Sequence, residues 1–211
     1  MSAELSNNPY YAKVYIWDTK VGNEDGEGTT VGHASIDLQG KNRGRYFSFR
    51  PRNSLLVNPL FLFFPVLGKS EPNLISDIEK EDKAPDHTYK LQLNQSQYDK
   101  MAKEIDRLTK QTKKGKLLYH LFPNITVLKP IQMLATEIAQ KEITRCPFSG
   151  HLMGDERYKD FSELLKIKEG HCASTVHQIV SSAFQLPPTG PTPWKIHPTQ
   201  LGSYIEHLTK E

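Results

Sequence analysis

Two stretches decide how this chain folds: TVGHASIDL, Thr30 to Leu38, and RYFSFR, Arg45 to Arg50. In the first, Gly32, Ala34, Ile36 and Leu38 alternate with His33, Ser35 and Asp37. In the second, Phe47 and Phe49 are opposed to Tyr46, Ser48 and Arg50. Strict period-two patterning is the mark of a half-buried strand. The connector, Gln39 to Gly44, holds two glycines and an asparagine, which predicts a hairpin. A turn symmetric about residues 41 and 42 sets His33 opposite Arg50 and Ser35 opposite Ser48. Directly paired residues share a face. One side of the hairpin is then a polar shelf of His33, Ser35, Asp37, Ser48 and Arg50, and the other side is core.

Working outward, KVYIW (Lys13 to Trp17) and TYKLQL (Thr88 to Leu93) read as further strands. A helix is expected from about Ser96 to Thr112, with Tyr98, Met101, Ile105 and Leu108 as its buried stripe. Its other face carries Lys100, Lys103, Arg107, Lys110, Lys113 and Lys114, read as a solvated face before an anion-binding one. A second helix opens at Cys172 and carries Val176, Ile179, Val180 and Phe184, ending at the proline-rich turn Pro187 to Pro193. A last short helix starts after Pro198. Further helices are expected around Ile131–Ile143 and Tyr158–Leu165, inside a segment, about 115–169, that reads as an insertion. The expected fold class is α+β: an antiparallel sheet of about four to six strands packed on the Cys172 helix, in one domain.

A chain of 211 residues with 37% apolar and 24% charged residues has enough material for a core of its own. Its net charge of +3 singles out no nucleic-acid partner. The start, Met1 to Asn8, is polar and lacks the pattern of a secretory signal. The most apolar run, Leu55 to Leu67, is interrupted by Pro59 and Pro65 and is shorter than the ~20 residues needed to span a bilayer. It reads as a segment covering the core, with a hydrophobic wall for an acyl chain or partner as the functional alternative. Two cysteines, Cys146 and Cys172, make no disulfide framework, so a reducing compartment is expected. The cytoplasm fits, as does export by a signal-independent route, including delivery of a bacterial effector into a host cell.

Cys172 follows Gly170 and His171 and opens an amphipathic helix with Ser174 and Thr175 in its first turn. A thiol attacks only as thiolate, and a helix N-terminus with a nearby imidazole lowers its pKa from near 8.5. The backbone N–H of Cys172 is also a donor for the oxyanion of an acyl intermediate. His33, on the polar side of a strand with small neighbours, is the candidate base. A base needs a third group to orient it. Ser48, across the hairpin, is the candidate orienter and Asp37 its rival. Cys146, His151, His171, Cys172 and His177 lack the ligand spacing of a zinc site. No metal or cofactor is called for.

VGHASIDL followed by RYFSFRP (Arg45 to Pro51) resembles the His strand and the next, SFWP-like strand of circularly permuted NlpC-type papain-like proteins. GHCASTVHQIV (Gly170 to Val180) resembles their later Cys helix, and WKIHPTQLGSYIEHL (Trp194 to Leu208) their closing segment. The order His, polar strand, Cys marks the permuted group, which also includes lecithin retinol acyltransferase-like enzymes. The resemblance implies Cys172 as nucleophile, His33 as base and Ser48 as the third, polar position. It covers about half the chain. Two departures stand out. His171 replaces the commoner Asn before the cysteine, and Arg50 replaces Trp in the strand. Both are candidates for substrate binding, Arg50 through a carboxylate or phosphate, with a salt-bridged arginine as its alternative. The implied activity is hydrolysis of an amide or peptide bond through an acyl-enzyme. Acyl transfer or thioester cleavage is the second reading, and a non-catalytic binding module on the same scaffold the third. The implied partners are a peptide, protein or acyl substrate, with no nucleic acid.

Overall fold

A computed structural model describes residues 9–18, 32–41, 43–52, 65–122, 168–192 and 195–210. Seven strands run through the described residues: β1 (Tyr11–Trp17), β2 (His33–Gln39), β3 (Arg45–Pro51), β4 (Val66–Ser70), β5 (His87–Gln92), β6 (Leu117–Tyr119) and β7 (Lys168–Gly170). Four helices accompany them: α1 (Leu74–Glu81), α2 (Gln95–Lys113), α3 (Cys172–Ser181) and α4 (Pro198–Lys210). The strands form one open sheet in the order β5-β1-β2-β3-β4-β6-β7. Every pairing is antiparallel except β6 with β7, which is parallel. The class is α+β.

The hairpin has the register its alternation predicts. Ser35 pairs with Ser48, Ile36 with Phe47 and Asp37 with Tyr46. Ala34, Ile36, Leu38, Phe47 and Phe49 are wholly buried, joined from β1 by Ala12, Val14 and Ile16. Helix α2 adds Met101, Ile105 and Leu108, α3 adds Val176, Ile179 and Val180, and α4 adds Leu201 and Ile205. α3 packs on β2 and β3, α2 crosses β3, β4 and β6, and α4 lies against β5 and β1. Burying such side chains stabilises by about 1.5–3 kcal/mol each relative to exposure.

The ends of α2 follow from sequence. Asn94 accepts from the N–H of Gln97 at 2.9 Å, and Gln97 returns the bond to Asn94 at 2.9 Å, a reciprocal cap. Arg45 grips Asp106 with two guanidinium nitrogens, at 3.0 and 3.2 Å, and fastens the helix to β3. On the basic face, Arg107 is held by Glu104 and Gln111 while Lys100, Lys103, Lys110 and Lys113 are exposed.

Several elements differ from expectation. The sheet is wider than four to six strands, because β4, β6 and β7 join its far side. The last two have three residues each, too few to show a period. They also shorten the insertion expected at about 115–169, since both its ends are sheet. Phe184 lies beyond α3, which stops at Ser181. Helix α1 was not expected. Asn73 caps it, accepting from the N–H of Ser76 at 2.9 Å, and Asp82 closes it in the left-handed region at φ 53°. The helices expected at 131–143 and 158–165 fall outside the described residues, as do Cys146, His151 and positions 55–64 of the apolar run. The end of that run enters β4.

Candidate active site

Strand β2 begins at the site. Gly32, just before it, has φ 69°, a left-handed turn that glycine adopts without strain. That turn delivers His33, only 3% exposed, with its ring against that of Trp17, centroids 5.3 Å apart. His33 Nε2 lies 3.0 Å from Ser48 Oγ, and Ser48 donates its own proton to Asp77 Oδ1 at 2.9 Å. Since Ser48 gives its hydrogen to the carboxylate, it accepts from Nε2–H. That tautomer leaves Nδ1 to face the thiol.

Asp77 is the residue that sequence reading missed. It is 0% exposed and is the charge behind the histidine, with Oδ2 at 3.4 Å from His33 Nε2. Arg50 Nε donates to Asp77 Oδ1 at 2.7 Å, and Tyr46 donates to Oδ2 at 2.5 Å. Tyr46 also shares a 2.8 Å hydrogen bond with Ser35. Asp77 and Glu81 are one helical turn apart and so share a face of α1. Between them they clamp Arg50, whose Nη1 donates to Glu81 at 2.6 Å. α1 is therefore docked to β3 by charge, where an ordinary helix would use apolar side chains. Lys80, paired with Glu71, adds a second tie. Burial opposes the Asp77 charge, but the hydrogen bond and charge of His33, then Arg50 and Tyr46, hold its carboxyl far below the usual range.

Asp37, the rival orienter, takes no part. Its carboxylate accepts from Gln39 Nε2 at 2.7 Å. It lies two residues along β2 from Ser35, on the far side of that serine from His33. Arg50 is committed to two carboxylates, which favours the salt-bridged reading over a substrate anchor.

Cys172 is the first residue of α3 and 4% exposed. Its thiol takes partners from three elements. His33 reaches it from β2, His171 from the cap, and the Tyr119 hydroxyl from β6. Burial pushes the thiol pKa up. The hydrogen bonds from His171 and His33, with the charges of both rings, overcome that and bring it to about 5. For His33, burial disfavours the charged ring, yet the Asp77 and Cys172 interactions raise its pKa above the ordinary value. Tyr119 is pushed well above its normal range, chiefly by burial and then by the Cys172 charge, so it stays a neutral O–H donor. The arrangement stabilises a thiolate beside an imidazolium.

His171 is buried at the helix cap and within reach of the thiol. His177, also on α3, has its ring bonded to the carbonyl of Pro187 at 2.9 Å and anchors the proline-rich turn. Tyr119 carried no usable sequence signal, since its strand, LLY, is three residues long. The signal for Asp77 was the Asn73-to-Ser76 cap, which announces a helix without saying what its first turn touches.

Among the described residues, no helix is long and apolar enough to cross a membrane. No protein-family model, curated protein or solved structure matches the chain.

Proposed function

We propose that this protein is a cysteine hydrolase cleaving an amide or peptide bond through an acyl-enzyme, on a circularly permuted papain-like scaffold. The observation that carries the reading is the continuous chain Cys172–His33–Ser48–Asp77, buried at the N-terminus of α3. A structural thiol needs no such chain. A buried cysteine left to itself is a small apolar residue with a raised pKa. The order of the groups along the chain, histidine first and cysteine last, supports the permuted arrangement.

In this reaction the Cys172 sulfur attacks the carbonyl carbon and a C–S bond forms. Charge moves to the carbonyl oxygen, where the backbone N–H of Cys172 at the helix start is a ready donor. The intermediate collapses with cleavage of the C–N bond, and His33 Nδ1–H gives its proton to the departing amine. Water then enters, loses a proton to the now neutral His33, and attacks the thioester. Cleavage of the C–S bond returns the thiolate and the imidazolium. Asp77, through Ser48, stabilises the charged form of the ring at each stage. No step calls for a group from outside the chain other than substrate and water.

The test is alkylation of the native protein with iodoacetamide from about pH 4 to 9, with Cys146 as internal reference. Cys172 should react faster than Cys146 throughout the acid half of that range. A panel of amide, peptide, thioester and oxyester substrates then identifies the bond, with Cys172→Ser as the inactive control. A thiol titrating near its free value of about 8.5 would refute the reading.

A further inference from the structure

His33 is held on its flank as well as at its nitrogens. Trp17 stands directly opposite it in the β1–β2 ladder, so both side chains leave the sheet on the same face. That is the face of β1 away from Ala12, Val14 and Ile16, which belong to the core. Trp17 is nonetheless fully buried. Its ring lies 5.3 Å from that of His33, centroid to centroid, with 44° between the planes. Its Nε1–H donates to the carbonyl of Lys83 at 3.0 Å. The next residue is tied to the same turn, since the N–H of Asp18 donates to Asp86 Oδ2 at 2.8 Å. Asp18 also accepts from Thr199 of α4 at 3.0 Å and pairs with His87 at 2.9 Å.

The turn that fixes Trp17 follows directly on α1, the helix that brings Asp77. One segment therefore supplies two supports for the base. Asp77 stands behind Ser48 at the Nε2 edge, and Lys83 holds the indole on the flank. The charged or titratable groups facing His33 are Asp77 of α1, Arg50 of β3 and Cys172 of α3. From β1 the neighbour is a neutral ring rich in π electrons. Such a ring attracts a cation within about 6 Å of its centroid, tryptophan most strongly, and the attraction grows when water is excluded. Both rings here are buried. A neutral imidazole gains less from the same contact, so the indole acts on the difference between the two forms of His33.

We propose that Trp17 is a positioning residue that holds the His33 ring between the thiol and the Ser48–Asp77 pair and favours its imidazolium form. The inference rests on the hydrolase reading and adds a second support for the protonated base, independent of the carboxylate. It gives the buried indole a part in turnover: His33 must carry a proton when the amine departs, and Trp17 extends the pH range over which it does.

The experiment follows the His33 ring by NMR against pH in wild type, Trp17→Phe and Trp17→Leu, its signal assigned by its loss in His33→Ala. In Trp17→Leu the titration should move down by roughly half a unit to one unit, and in Trp17→Phe by less. With the best substrate of the panel, the alkaline limb of kcat/KM should move down by the same amount. Tryptophan emission reads the pair without altering Trp17, whether or not the variants fold. An imidazolium withdraws charge from an excited indole and quenches it more than the neutral ring does. Wild-type emission should therefore rise with pH through the His33 midpoint, and that rise should be missing in His33→Ala, which separates His33 from His87. A His33 titration unchanged in both Trp17 variants, or emission that ignores it, would overturn the inference while leaving the hydrolase reading intact. An ordinary Cys172 thiol in wild type would overturn the hydrolase reading, and with it any part for Trp17 in turnover.

Discussion

Replacing Asp77 with asparagine exchanges one oxygen for an amide nitrogen and isolates the charge behind His33. The carboxylate is wholly buried and takes hydrogen bonds from Ser48, Arg50 and Tyr46. Removing one partner of a buried ion pair costs about 3–5 kcal/mol when the other is left stranded. Here Arg50 keeps Glu81 at 2.6 Å, and an amide oxygen still accepts one donor. The expected loss is therefore the smaller figure for hydrogen bonds to a charged group, about 2–3 kcal/mol near pH 7. For a chain of this size that lowers Tm by about 5–10 °C. The pH dependence has two parts. A carboxyl depressed below its unfolded value of about 3.9 contributes stability above that pH and loses it as pH falls through the folded pKa. The gap between wild type and Asp77→Asn should then close in acid. His33 is raised, so its contribution is complete below about 6.5 and disappears as pH rises through the folded value. The variant should lack that alkaline decline. Urea melts at several pH values measure both. A loss under about 0.5 kcal/mol, or a gap that widens in acid, would refute the network.

Two other outcomes are expected. Ser48→Ala removes the bridge but leaves Asp77 3.4 Å from the ring, so kcat should fall ten- to hundredfold with KM steady, the value of about 1.5–3 kcal/mol for one charge-assisted bond. An unchanged kcat would place the serine outside the relay. Gly68→Ala sets a methyl group into the buried ring of Phe49 across the β3–β4 ladder, and chemical denaturation should register a loss of about 1–3 kcal/mol.

The hairpin was legible because local rules overdetermine it. A period of two and a short connector fix the register, and the register puts Ser48 next to His33. The Cys172 helix was legible from its apolar spacing and its proline stop. Asp77 was not, since its role depends on a tertiary contact between β3 and α1, two elements far apart in sequence. In sequence, SDIEKE is an acidic helix start like many others, and its most buried position is a charge, which contradicts the amphipathic template. Tyr119 failed for a different reason. A three-residue strand in a wide sheet owes its existence to neighbours already in place. His171 was visible, but only burial distinguishes a ring turned inward from one in solvent.

The parallel pair β6 and β7 has a consequence for where the thiol sits. Parallel neighbours need a crossover of a dozen residues or more. Here β6 ends at Tyr119 and β7 begins at Lys168, one strand over. Only His171 separates β7 from Cys172, the first residue of α3. The ladder of Leu117–Tyr119 with Lys168–Gly170 therefore sets where that helix starts, so a shift of one residue in this short register would move the thiol relative to His33.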